Sequence, residues 1–221
     1  MEELGQVNDD APITNEELEA LTVVLETNSS LKTLMLSATN SITTEGWVTF
    51  SAVLRNQNSK LEILVLYDSH MDDTVMNSFA DALTINCNLQ QLCVGNCDSV
   101  TVNGGYAALT RTLCNKSSIL STYHSNHTLN MLDGTSTFLP EELSSLLQIN
   151  KYNNKNQAAR LKIIMSHFSG NDIKMEPFAK MAVNVRPHAI EWMAKDMHLY
   201  RFLRAMPSLL DKVEDEGHLF I

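Results

Sequence analysis

A leucine triplet that recurs at a nearly constant spacing constrains this chain more than any other feature. The pattern Leu-x-x-Leu-x-Leu occupies 31–36 and 61–66, ends in Val at 89–94, and continues in a weaker form at 119–124. The intervals between successive starts are 30, 28 and 30 residues. Recurrence at a fixed period of about 20 to 50 residues is typical of proteins that stack one structural unit on the next.

The spacing inside the triplet predicts a short strand. Its fourth and sixth positions are two residues apart and therefore point to the same side, whereas the first position requires a bend before the strand. A turn rich in Asn and Ser precedes each triplet and begins at Asn28, Asn58, Asn86 or Asn115, in keeping with the local hydrogen bonds that these side chains form. The predicted parallel strands lie near 33–36, 63–66, 91–94 and 121–124.

Apolar residues spaced by three and four follow each triplet and predict one helix per unit. The N-terminal part predicts a further helix, capped by Thr14 or Asn15, with Glu16 and Glu17 in its first turn. The apolar face predicted for this helix consists of Leu18, Leu21, Val24 and Leu25. This helix would cover the open side of the first strand region, as the end of a stack requires.

The triplets, each followed by a full helix, resemble the ribonuclease-inhibitor class of leucine-rich repeats. That class also places Asn or Cys soon after the triplet, and Asn40, Cys97 and Asn126 stand near that position here. The resemblance covers roughly residues 13–134. It implies an α/β fold, a short solenoid with parallel strands on one side and one helix per repeat on the other.

The chain departs from that class in length and in its fourth triplet. Only about four strands are expected, and Thr122 and His124 replace leucines of the pattern. The phrases at 125–129 and 139–143 are also similar to short leucine-rich-repeat proteins of unicellular algae, which carry a helical C-terminal tail. That second resemblance supports the architecture and implies no activity.

The distribution of charge divides the chain into two parts. Residues 1–149 contain 5 Lys and Arg against 18 Asp and Glu, whereas residues 150–221 contain 11 against 8. After the repeats, Pro140 and the two following glutamates predict the start of a helix, the first of five up to Pro207. The predicted segments are an acidic N-terminal tail at 1–12, the solenoid at 13–134 and an all-α C-terminal cap at 135–221.

Composition argues against several classes of function. The acidic repeat part would repel a phosphate backbone, and no basic run interleaved with aromatic residues is present, so we expect no nucleic-acid partner. No stretch approaches the ~18 apolar residues of a membrane span. The acidic N-terminal sequence resembles neither a secretory signal nor a transit peptide. We therefore expect a cytoplasmic protein with reduced cysteines.

A metal site is one candidate for chemistry. Cys93, Cys97, His124 and His127 could approach one another on neighbouring units, and zinc accepts such ligands. Their spacing matches no common zinc motif, and Cys97 falls where the repeat class places a structural residue. Buried thiols usually behave as small apolar groups. We therefore expect neither a metal ion nor a cofactor.

A thiol-dependent enzyme is the alternative function. Cys93 is predicted to face outward on the third strand, and His124 would occupy the corresponding position on the fourth. Neighbouring strands lie about 4.8 Å apart, so this histidine could activate the thiol. The sequence offers no third orienting residue and no oxyanion feature, which favours coincidence over catalysis.

A protein-binding face is the leading functional prediction. The outward positions of the first three strands hold five residues that together would form an apolar patch: Met35, Ile63, Val65, Tyr67 and Cys93. Exposed apolar patches mark interfaces, so the sequence predicts a protein-interaction module without catalytic activity. Two alternatives remain open at this point: the C-terminal helices cover this face, or the chain is a structural subunit of a larger assembly.

Overall fold

The computed structural model describes residues 12–37, 39–133 and 139–168. The described residues divide into two compact units. The first comprises the chain up to Asn115 together with Ser125–Ala158, and the second comprises Lys116–His124 together with the described residues from Ala159 onward.

The first unit alternates helices and strands in an α/β arrangement. Its elements are α1 (Asn15–Thr27), β1 (Thr33–Leu36), α2 (Thr44–Phe50), α3 (Ala52–Arg55), β2 (Ile63–Asp72), α4 (Asp73–Leu83), β3 (Gln91–Ser99), α5 (Gly105–Leu113), β4 (Met131–Asp133) and α7 (Glu141–Tyr152). Helix α8 (Lys155–Ile163) begins at the end of this unit and continues into the second.

The four strands form one sheet in chain order, β1-β2-β3-β4, and every neighbouring pair is parallel. The register aligns the fourth positions of the triplets, Leu34, Leu64 and Leu92, with Leu132 of β4. The prediction of parallel strands at 33–36, 63–66 and 91–94 is confirmed. Strands β2 and β3 extend beyond the predicted ends, to Asp72 and Ser99.

The core of the first unit contains side chains from both the sheet and the helices. The fourth and sixth triplet positions are buried in each of the first three strands. They share one cluster with the large helical side chains Trp47, Phe50 and Phe79 and with Leu143 of α7. Burying this apolar surface is the main favourable contribution to folding.

Helix α1 begins as the sequence predicts. Thr14 is its N-cap, and its hydroxyl accepts a hydrogen bond from the Glu17 amide while the Glu17 carboxylate accepts from the Thr14 amide. This capping box holds the pKa of Glu17 below its usual value, because the Thr14 backbone and side chain both donate to the charged form. Leu18 and Leu25 are buried, but Val24 is exposed, contrary to the predicted apolar face.

The predicted fourth strand at 121–124 is wrong. Residues Ile119–Tyr123 form a short helix, α6, which belongs to the second unit, and the fourth strand is β4 at Met131–Asp133. The segment Lys116–His124 interrupts the first unit. The residues that flank this segment are in contact, because the backbone amide of Asn115 donates to the Ser125 hydroxyl at 2.8 Å. Helix formation rather than strand pairing therefore determines the structure of 119–123.

Asparagines join the successive turns that lead into the strands. The side-chain Nδ2 of Asn56 donates to the backbone carbonyls of Leu25 and Asn28, and the side-chain Nδ2 of Asn86 donates to the backbone carbonyl of Leu54. The same bonds run from Asn126 to Leu83 and Asn86, and from Asn150 to Asn126 and Leu129. Three of these asparagines are buried, and the bonds satisfy backbone carbonyls that would otherwise be costly to bury.

Side chains at the helix N-termini make a second series of links. Asn15 exchanges two hydrogen bonds with Thr43, and the Thr44 hydroxyl donates to Asp72 at 2.8 Å. Asp73 accepts from the Thr101 amide, the Thr101 hydroxyl and the Gly105 amide, each at 2.7 Å. The Gly105 and Thr101 amides lower the pKa of Asp73, because they stabilise its charged form.

The described part of the second unit consists of Lys116–His124, which contains α6, and the chain from Ala159 to Phe168. Ser118 caps α6 by accepting from the Ser121 amide. After α8 the chain forms a π-helix at Ile164–Phe168, where His167 Nε2 lies 2.8 Å from the Thr122 hydroxyl. Burial and the nearby Lys116 charge lower the pKa of His167.

The predicted C-terminal segment is helical as far as the structure describes it. The helix start at Pro140 is confirmed, since α7 begins at Glu141 with Pro140 as its N-cap residue. The helix predicted near 157–168 is observed as α8 followed by the π-helix. The three later predicted helices, and the acidic tail at 1–12 except its last residue, lie outside the described residues.

Candidate binding face of the sheet

The outward face of the sheet carries the residues that the sequence singles out. Along β1, the burial alternates with a period of two, so that Leu34 and Leu36 are buried and Met35 is exposed. Pairing between strands places Met35 beside Val65 and Val65 beside Cys93. Three of the five predicted residues therefore form one continuous row across the sheet.

The side chains on this face differ in exposure. Tyr67 is 52% exposed and Met35 is 42% exposed, whereas Ile63 and Cys93 are half-buried. Val65 is only 6% exposed, which corrects the expectation that it is open to solvent. Val65 lies between neighbours on both sides in the middle of the sheet, so its methyl groups are covered while Met35 on the edge strand remains accessible.

Hydrogen bonds fix the backbone on both sides of Tyr67. The buried Thr39 hydroxyl donates to the Tyr67 carbonyl at 2.5 Å. The Ser69 hydroxyl donates to the Leu66 carbonyl and accepts from the Gly95 amide at 2.9 Å. These bonds hold the backbone of Tyr67 at a defined position on the sheet, while about half of the residue is in solvent.

Gly95 is required where β3 passes close to β2. A Cβ atom at this position would lie 2.8 Å from the Ser69 backbone nitrogen and 2.9 Å from its carbonyl oxygen. Backbone atoms cannot move away as the end of a flexible side chain can, so a larger residue would push the two strands apart. The absence of a side chain at Gly95 therefore keeps the strands close near Tyr67.

Met131 also lies on this face, although the sequence does not predict it. Met131 of β4 pairs with Gln91 of β3 and is 39% exposed. The signal for it is the phrase from Asn126 to Leu132, because Asn126 stands three residues before Leu129 just as Asn28 stands before Leu31. Thioether side chains at the two edge strands, Met35 and Met131, give the face adaptable apolar ends.

The proposed pairing of Cys93 with His124 loses its geometric basis. The strand beside β3 is β4, and its residue paired with Cys93 is Asp133. His124 follows the last turn of α6 as its C-cap residue and is on no strand. The expectation that the two residues occupy corresponding positions on neighbouring strands is therefore wrong.

The cysteines and histidines of the described residues form no candidate metal site. No group of three or more His, Cys, Asp or Glu side chains within 12–37, 39–133 and 139–168 is arranged to hold an ion. All four cysteines lie in this part of the chain and are thiols rather than disulfides. Burial and the charge of Asp98 raise the pKa of Cys97 to about 11, so this thiol stays protonated at neutral pH.

No protein-family model and no curated protein matches the sequence. In the part of the chain that the structure describes, no helix combines the length and the apolar character needed to cross a membrane.

Proposed function

We propose that this chain is a leucine-rich-repeat protein of the ribonuclease-inhibitor type and acts as a protein-interaction module in the cytoplasm. The outward face of its sheet is the contact surface in this proposal. The solenoid assignment is supported by the chain-order parallel sheet and by the asparagine bonds that recur from turn to turn. The location is supported by four cysteines that are all thiols.

The exposure of Tyr67 is the observation that carries the functional proposal. A tyrosine half open to solvent, on a backbone held by Thr39 and Ser69, presents an apolar ring with a polar tip. Such side chains are enriched among the residues that dominate binding energy. Met35 and Met131 extend the apolar surface towards both edges of the sheet.

The small area of the outward sheet face means that a partner must also contact residues outside it. Four strands about 4.8 Å apart give a face roughly 14 Å wide. A standard interface buries about 800 Å² per partner, so the sheet face alone is too small. We therefore expect the partner to reach beyond the row of Met35, Val65 and Cys93 to the exposed ends of β2 and β3, where His70 and Asp98 lie.

A site-specific crosslinking experiment tests this proposal. A photoreactive phenylalanine analogue placed at Tyr67 in the native host should capture a protein partner, because that side chain is in the contact surface. The matched control is the same analogue at Tyr152 of α7, a tyrosine that is 73% exposed. With the partner purified, Tyr67→Ala should weaken binding by at least ~1 kcal/mol.

Equal crosslinking and equal losses of affinity at Tyr67 and Tyr152 would contradict the proposal. Capture from Tyr152 alone would place the interface on α7 instead of on the sheet.

A further inference from the structure

The outer face of α1 exposes apolar side chains. Val23 is 64% exposed and Val24 is 62% exposed, and Ala20, one turn before Val24, is also in solvent. The opposite side of the helix buries Leu18 and Leu25 against the core. Helix α1 packs on α2 and α3, while both valines remain open to solvent.

Glutamates flank Val23 along the same stripe of α1. Glu19 precedes it by four residues and Glu26 follows it by three, which are the spacings of neighbours on a helix surface. Both glutamates are exposed, and α1 contains no Lys, Arg or His. The surface is therefore an apolar strip of Val23 and Val24 in which Val23 has a negative charge on each side, without a cation on α1 to neutralise these charges.

A shallow polar hollow lies beside this strip. It is lined by Asn15, Glu19, Thr43, Glu45, Gly46 and Thr49. Two carboxylates, those of Glu19 and Glu45, line the hollow, and among the residues that the structure describes no cationic side chain lines it. The mutual hydrogen bonds of Asn15 and Thr43 fix one side of it. The hollow can accept the end of a long basic side chain that reaches past Val23.

We propose that α1 is a second docking surface, and that its occupant is a basic amphipathic helix of a protein partner. The partner helix places small or branched apolar residues on Val23 and Val24, with Lys or Arg one turn before and after them. Its basic groups meet Glu19 and Glu26, and one of them enters the hollow beside Glu45. Recognition by an apolar helix face is an established mode of peptide binding, and charge complementarity sets its specificity.

The charges on α1 argue against a second copy of this chain as the occupant. Two α1 helices packed about a two-fold axis present the same surface to each other. In a parallel arrangement Glu19 opposes Glu19, and in an antiparallel arrangement Glu19 opposes Glu26. Like charges therefore meet in either orientation, which destabilises a pair of identical helices.

The experiment uses the full chain and a dye-labelled synthetic helical peptide with Leu and Ala along one face and Lys along the other. Fluorescence anisotropy should show binding that weakens from about 0.05 to about 0.5 M NaCl as the charges are screened. Replacing every Lys by Glu in the peptide should abolish it. Val23→Asp should weaken binding at least about tenfold.

The matched control is Val102→Asp, which adds the same charge at a valine that is also 64% exposed but lies just before α5. Its affinity for the Lys peptide should equal that of the unchanged protein. Circular dichroism should give the same spectrum for both variants as for the unchanged protein if they remain folded. Tyr67→Ala should leave peptide binding unchanged. The experiment can therefore contradict the α1 proposal without contradicting the proposal for the sheet face.

Two results would overturn this proposal. Equal weakening by Val23→Asp and Val102→Asp would show general attraction between an acidic protein and a basic peptide. A self-association of the unchanged chain that Val23→Asp abolishes, detected by light scattering, would identify a second copy as the occupant.

Discussion

The side-chain amide of Asn126 donates to the carbonyl oxygen of Leu83 at 2.9 Å, as the Asn86 amide donates to Leu54 at 2.8 Å. The side-chain oxygen Oδ1 of Asn126 in turn accepts from the backbone amides of Thr128 and Leu129. Asn126 therefore leads into β4 in the way that Asn86 leads into β3, even though the segment Lys116–His124 intervenes.

Asn126→Ala should destabilise the fold strongly. The asparagine is buried, and its side chain satisfies two carbonyls and two amides that the alanine would leave without partners. Unpaired buried groups cost about 1–3 kcal/mol each, so we expect a loss of at least ~2 kcal/mol in urea unfolding. Asn58→Ala, at an exposed asparagine, is the control and should change stability little. Similar effects of both variants would mean that the asparagine bonds are not structural.

The sequence locates the first three strands because their signal is local. Each needs only an alternation of two residues and a turn before it, and the neighbouring unit then fixes the register. The fourth strand is displaced because the interval from Leu89 to Leu129 is 40 residues rather than 28 or 30. A constant period selects Ile119 instead, and nothing in the triplet pattern reveals that Lys116–His124 belongs to another unit.

The candidate binding face is predictable only in part. The alternation along each strand correctly assigns Met35 and Tyr67 to the exposed side. The alternation does not predict that Val65 is buried, because its exposure depends on side chains of the strands on either side. Met131 can be assigned to this face only when the position of β4 is known, and the repeat period alone does not give that position.

Leu64→Ala should create a cavity in the core. Leu64 is fully buried in the central row of the sheet, between Leu34 and Leu92. Truncation of such a leucine costs ~2–5 kcal/mol, because transfer energy and packing contacts are both lost. Met35→Ala, on the outward face of the neighbouring strand, should cost far less. A loss below about 0.5 kcal/mol for Leu64→Ala in chemical denaturation would show that the strand register is wrong.

Asp73→Asn should alter the dependence of stability on pH. The amides of Gly105 and Thr101 lower the pKa of the folded carboxyl below the ordinary value of 3.8. A lowered folded pKa stabilises the protein above the unfolded value, and this contribution is lost as the pH falls through the folded pKa. The difference in free energy of unfolding between the native protein and Asp73→Asn should therefore be full at neutral pH and shrink below about pH 3.8.

Asp81→Asn provides the comparison for that measurement, since Asp81 is an exposed residue of the same helix. A denaturation series from neutral to acidic pH, performed on all three proteins, separates the two positions. If the Asp73 and Asp81 variants follow the same pH profile, the hydrogen bonds to Asp73 contribute nothing specific.

Thiol labelling should distinguish the cysteines by exposure and pKa. Cys87 is exposed and should react first with a thiol-specific reagent at pH 8, whereas Cys97 is buried with a pKa raised to about 11. Cys87→Ser should remove the fast phase, and Cys97 should react only when denaturant opens the fold. Mass spectrometry of labelled peptides assigns each phase. Fast labelling of Cys97 without denaturant would contradict its burial.

Tyr67→Ala should leave the stability of the protein nearly unchanged. About half of Tyr67 is in solvent, so its truncation removes less buried surface than the loss of a core side chain and leaves no enclosed cavity. If the C-terminal helices instead cover the sheet face in solution, the same change would hollow a packed interface and lower the unfolding midpoint by several degrees. Thermal unfolding of Tyr67→Ala beside Tyr152→Ala decides between these accounts before any partner is known. A midpoint for Tyr67→Ala within about a degree of the unchanged protein is expected for an open binding face.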